Sequence, residues 1–135
     1  MLVVTETWFR PGTSDVQVSV TGFTIHRADI TTQSGKARGG GVEIHINDRL
    51  LSNNVITTTI CDHEIESLSI KCRPLRLPRE LSCVLIVRVY CPPSSNDINT
   101  IDTVFKIIFI HHRIISLSVT DQSRTSQWVC GLDLR

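Results

Sequence analysis

The stretch Val84-Leu-Ile-Val-Arg-Val-Tyr-Cys-Pro-Pro93 decides the fold class. In an extended chain Leu85, Val87 and Val89 point one way and Val84 and Ile86 the other, so both faces are apolar. That is the pattern of a central strand covered on both sides. Arg88 and Tyr90 share the face of Val84 and Ile86 near the strand's end. The proline pair stops the ladder there, because proline has no N–H to donate.

A central strand needs neighbours, and the chain upstream supplies them. Val42, Ile44 and Ile46 alternate with Glu43, His45 and Asn47, the period of a strand with one buried face. In Ser67 to Cys72 the apolar Leu68, Ile70 and Cys72 alternate with Ser67, Ser69 and Lys71, a second half-buried strand. Asn54 to Cys61 is rich in β-branched residues, Gly22 to Ala28 is a further strand, and Leu2 to Thr5 reads as a short buried one. Arg10-Pro-Gly-Thr-Ser-Asp15 is a turn, and Asp29 to Gly41 is a polar, glycine-rich loop. Beyond Asn96 two readings stay open. Ile101, Val104, Phe105 and Ile108 have helical spacing, whereas Ile107 to Ile110 and Ile114 to Val119 would serve as strands.

At 135 residues and 41% hydrophobic, the chain can bury the core of one ordinary domain. Aromatics make up only 5%, so Ile, Val and Leu must build that core, which favours sheet. The formal charge of +1 argues against a polybasic arm or an acidic tail. Residues 1–70 carry a net −3, but residues 71–88 carry Lys71, Arg73, Arg76, Arg79 and Arg88 against Glu80, a net +4. Such a segment either meets phosphates or is a solvated face. The five cysteines form no C-x-x-C pair and no zinc-spaced cluster. Their odd number and the lack of a signal peptide point to an intracellular compartment, nuclear or cytoplasmic. No run reaches the ~18 apolar residues of a membrane span. P-loop, Rossmann, G-x-S-x-G, H-E-x-x-H and EF-hand patterns are all absent.

What carries chemistry is a carboxylate, Glu6, placed straight after an apolar strand in Thr5-Glu-Thr-Trp8. It is followed in order by Gly22-Phe23, Arg27-Ala-Asp29, Arg38-Gly-Gly-Gly-Val42 and Val87-Arg-Val-Tyr-Cys-Pro-Pro-Ser-Ser95. Glycines around Lys36 and Arg38 let backbone approach a phosphate that the two cations would neutralise. The same glycines also suit a plain turn into the Val42 strand. Tyr90 is either a reactive hydroxyl or an amphipathic ring at the edge of a core.

Over residues 2–96 this series resembles the apurinic-type endonuclease domain of LINE-like, non-LTR retrotransposons, a branch of the endonuclease/exonuclease/phosphatase superfamily. The resemblance implies an α/β fold, part of a two-sheet α/β sandwich of the DNase I and exonuclease III kind, mostly strands in the covered part. It implies Glu6 as ligand to Mg²⁺ or Mn²⁺, Tyr90 near the scissile phosphate, and DNA as partner. The metal would polarise the phosphate while an Asp-His pair and further Asp and Asn residues activate water.

The chain departs from that pattern at both ends. The family's upstream Asn, its Gly-Asp-x-Asn motif and its Asp-His pair are missing; Gly131-Leu-Asp133 has the wrong order, and no Asp precedes His111-His112. Residues 97–135 therefore read as a divergent tail. The expectation is a truncated phosphodiesterase without useful turnover, one sheet face uncovered and open to self-association. A β-rich interaction module is the alternative, and it would leave Glu6 and Tyr90 apart.

Overall fold

The computed structural model describes residues 1–36, 38–76, 83–92, 102–103, 106, 114–121 and 124–128. Its strands are β1 (Leu2–Thr5), β2 (Phe23–Ala28), β3 (Val42–Asn47), β4 (Leu51–Cys61), β5 (Glu66–Pro74), β6 (Val84–Cys91), β7 (Ile114–Asp121) and β8 (Arg124–Trp128). Among the described residues helix is confined to two 3₁₀ turns, Asp15–Gln17 and Thr32–Ser34, and to helical backbone at Asp102, Thr103 and Lys106. The fold is β-rich.

The strands form two sheets, ordered β1-β3-β2 and β4-β5-β6-β7-β8. All pairings are antiparallel except β6 with β7, which is parallel. The Ile114 to Val119 segment is thus a strand, and it joins the sheet that the Val84 strand centres. Phase decides which side chains meet. Val42, Ile44 and Ile46, all fully buried, share a face with Ala28 and with His26, which stands opposite Ile44. Across from them the second sheet presents Leu68, Ile70 and Cys72 of β5 and Val84, Ile86 and Tyr90 of β6, and these residues make one core. Burying each Ile or Leu contributes about 1.5–3 kcal/mol. Truncating Ile70 to Ala would cost about 2–5 kcal/mol, because little around it can collapse.

Three expectations need correction. β1 is an edge strand with Leu2 and Val4 exposed, so it is not buried. β3 is not half-buried: as the middle strand of its sheet it has Glu43 and His45 buried as well, hydrogen-bonded to each other. β5 likewise buries Ser67 and Ser69 on its second face. The doubly apolar pattern of β6 does mark a fully buried strand. Its second face joins Leu85, Val87, Val89 and Cys91 with Ile65 in a smaller apolar cluster, so these residues are covered. Cys61, Cys72, Cys83 and Cys91 are not joined in disulfides. No helix among the described residues is long and apolar enough to cross a membrane. Phe105, the Ile107 to Ile110 run, His111-His112 and Gly131-Leu-Asp133 lie outside the described residues.

Candidate functional site

Antiparallel pairing sets Thr5 at the end of β1 opposite Val42 at the start of β3, so the residues after β1 run alongside Gly39–Gly41. There the backbone enters the left-handed region at Glu6 (φ 58°) and Trp8 (φ 61°). Outside glycine this conformation is uncommon, for a bulky residue it is an outlier, and each instance costs about 1–3 kcal/mol. Hydrogen bonds hold the strained turn in place. Trp8 N–H donates to Gly40 O at 2.9 Å and Thr7 N–H to Gly41 O at 3.4 Å. Glu6 Oε2 accepts from Trp8 Nε1 at 2.9 Å and from Gly40 N–H at 2.8 Å.

The three glycines are needed for this approach. All have positive φ, and a Cβ on Gly40 or Gly41 would collide with Glu66 Oε1 or Thr7 Oγ1 respectively. Under Gly40 lies Glu66, at the start of β5 and only 1% exposed. Its Oε2 accepts from Gly41 N–H at 2.7 Å, and its Oε1 takes the Lys36 ammonium at 2.5 Å. Glu66 stands opposite Tyr90 in the β5–β6 register, on the face that continues Leu68, Ile70 and Cys72. Burial pushes the Glu6 carboxyl's pKa up. The Tyr90 hydroxyl, Gly40 N–H, Trp8 indole and Lys36 charge together outweigh this and hold it below its ordinary value.

Glu6, Tyr90 and Lys36 are therefore brought together, although they are far apart in sequence. Arg38 is exposed on the same loop and takes part in none of the cluster's hydrogen bonds among the described residues. Lys36 is engaged by a buried carboxylate. Of the basic segment, Lys71, Arg73 and Arg76 are exposed, but Arg88 is buried on the core face of β6, where desolvation lowers its pKa. Glu66 is the residue that motif reading missed. Its signal was its phase, since a carboxylate two residues before Leu68 points into the core.

A hard divalent cation tests the donor set. Both N–H donors fall on Glu6 Oε2, whereas both oxygens of Glu66 are already committed to Lys36 and Gly41. Among the described residues no three His, Cys, Asp or Glu side chains group around a metal position. The cluster thus fits a single-carboxylate site completed by water and substrate oxygens, as Mg²⁺ sites often are. It does not fit a protein cage. Compared with known proteins, the chain matches no family model, no curated protein and no solved structure.

Proposed function

We propose that this chain is a metal-dependent phosphodiesterase domain of the endonuclease/exonuclease/phosphatase type, derived from a non-LTR retrotransposon, in a form that binds DNA phosphates without cleaving them. Its two sheets would correspond to the superfamily's α/β sandwich. The observation that carries the reading is the joining of Glu6, in a strained left-handed turn, to Tyr90 across the end of the core. Strain of this kind persists where surrounding structure over-determines it, and it concentrates at functional sites.

In this reading Glu6 holds Mg²⁺ or Mn²⁺, and the bound cation supplies Lewis-acid polarisation of a phosphate oxygen. Gly40 N–H and Trp8 Nε1 fix the carboxylate's orientation, so one of its oxygens stays directed by donors. Tyr90 presents a hydroxyl beside that carboxylate and would meet the phosphate. Lys36 keeps the pair of carboxylates from repelling an anionic ligand. Turnover also needs a group to take a proton from water. No imidazole and no uncommitted second carboxylate is hydrogen-bonded into this cluster among the described residues. Each ~1.4 kcal/mol of lost transition-state stabilisation is a tenfold loss of rate.

The test pairs a supercoiled-plasmid nicking assay with fluorescence anisotropy on a short DNA duplex, both with Mg²⁺ or Mn²⁺. The expected result is metal-dependent binding that Glu6→Ala weakens about tenfold, with no nicking. Nicking that survives Glu6→Ala, or binding indifferent to metal and to Glu6, would overturn the proposal. The rival reading, an interaction module, draws on β4. It is an eleven-residue strand at the edge of the described sheet, without charge or proline, and it exposes Val55 and Ile56.

A further inference from the structure

The turn from β3 into β4 meets the exit of β5 at one end of the molecule. Leu75 N–H donates to Leu50 O at 3.5 Å, Leu50 N–H to Asn47 O at 3.0 Å, and Asp48 N–H to Gly22 O at 3.1 Å. These bonds bring together Leu50, Leu75 and the loop that carries Val20, whose side chains are 61%, 72% and 44% exposed. Exposed apolar residues scattered singly are ordinary, but leucines held side by side mark an interaction surface. β5 starts at Glu66 beside the Glu6 cluster and ends at Pro74, so this end stands about 25 Å away from that cluster.

Cations surround the leucines. Arg49 precedes Leu50 and Arg76 follows Leu75, while Lys71 and Arg73 share the outer face of β5, where Lys71 stands opposite the exposed Val55. All four are exposed. Asp48 is the acid beside them, and its carboxylate accepts from Thr24 Oγ1 at 2.6 Å. Other acids gather at the opposite end: Glu6 and Glu66 in their cluster, Asp62 and Glu64 in the turn between β4 and β5, and Asp29 just after β2. Such a charge distribution turns the leucine end towards an anionic surface and the Glu6 end away from it.

The chemistry selects the partner. Duplex phosphates would neutralise the cations but give the leucines no apolar cover. Single strands stack on aromatic rings, and protein hot spots favour Trp and Tyr anchors, yet none of the exposed large apolar side chains at this end is aromatic. An anionic lipid leaflet meets both needs, since headgroups take the cations and the acyl boundary takes the aliphatic side chains. We propose that this end docks the chain peripherally on an anionic phospholipid surface. Leu50 and Leu75 enter the acyl boundary, and Arg49, Lys71, Arg73 and Arg76 lie on headgroup phosphates. The proposal stands apart from the phosphodiester reading.

The experiment is vesicle co-sedimentation of the whole chain, with phosphatidylcholine vesicles compared to phosphatidylcholine and phosphatidylserine at about 7:3. The serine-containing vesicles should bind at least about tenfold more tightly, and high salt should remove most of the difference. Arg49→Gln with Arg76→Gln should weaken binding about 25-fold, at about fivefold per cation. Leu50→Ser with Leu75→Ser should weaken it about tenfold or more. All four positions are exposed, so thermal melts of both double variants should match that of the unaltered chain. Glu6→Ala should leave vesicle binding unchanged while it removes metal-dependent duplex binding, which separates the two proposals. No binding to the anionic vesicles, equal binding to phosphatidylcholine alone, or binding indifferent to the two leucines would overturn the inference. Duplex DNA held through Arg49 and Arg76 in place of vesicles would overturn it as well, and would mark this end as a nucleic-acid face.

Discussion

Gly40→Ala measures how much of the site's energy lies in the fit between Gly39–Gly41 and the two carboxylates. At φ 91° an alanine is strained before it touches anything, by about 1–2 kcal/mol. Its Cβ would also overlap Glu66 Oε1 and stand 2.9 Å from Glu66 Cδ. Glu66 is buried at the head of β5 and cannot swing into water, so the collision must loosen its bond to Gly41 N–H or to Lys36. A charge-assisted bond of this sort contributes about 1.5–3 kcal/mol. The sum is about 3–5 kcal/mol, or a fall of about 12–20 °C in Tm for a chain of this length. Gly35→Ala is the matched control. It too has positive φ (66°), but nothing lies within 4 Å of the added Cβ, so strain alone acts. That costs about 1–2 kcal/mol, or about 4–8 °C. Thermal melts by circular dichroism on both variants decide the matter. Equal losses would refute the claim that Gly40 is set by Glu66.

Four further outcomes follow from the same structure. Lys36→Met strips the 1%-exposed Glu66 of its cation and should cost about 3–5 kcal/mol in a urea melt; a loss below about 1 kcal/mol would refute the ion pair's role in holding Glu66 in the core. Tyr90→Phe and Trp8→Phe each remove a donor from Glu6, so a ¹³C-carboxyl titration should show its pKa rising towards the ordinary value. Because that pKa is depressed in the fold, its stabilisation holds above about pH 4.5 and fades as pH falls through the folded value. His26 is depressed by burial, so its neutral form is the folded one; stability should decline as pH drops below about 6.5, and His26→Gln should flatten that slope. Cys72, its thiol pushed up to about 11 by burial and then by Cys83, should resist iodoacetamide at pH 8 until the chain is denatured, as read by peptide mass spectrometry.

Strand existence was legible because period-2 patterns report it directly. The Val84 stretch shows why: two apolar faces call for cover on both, and the structure puts the main core against Val84, Ile86 and Tyr90 and the Ile65 cluster against Leu85, Val87 and Val89. Burial of the alternate faces of β3 and β5 was not legible. Glu43, His45, Ser67 and Ser69 are polar by type, and only their place in the interior of a sheet and the cover beyond it make them buried. Glu6 and Tyr90 were singled out from their flanking motifs. Their meeting depends on how the β1 and β6 ends register against Val42 and Glu66, which no local pattern encodes. Glu66 and Lys36 show the remaining gap: Lys36 reads as a candidate phosphate contact and Glu66 belongs to no motif, and no local pattern sets them 2.5 Å apart.

The cluster's charge balance limits what it can bind. Two carboxylates share one ammonium, and because Lys36 sits against Glu66, the excess negative charge falls on Glu6. Neutral donors, the Gly40 N–H and the Trp8 indole, stabilise that charge without cancelling it. Glu6 is only partly buried, so solvent still screens its attraction for a cation. A lone carboxylate is still too weak a ligand set for Mg²⁺ to stay without phosphate oxygens. In the proposed reading the two ligands would therefore be coupled: cation and phosphate would each make the other's binding favourable, and neither is expected to bind well alone.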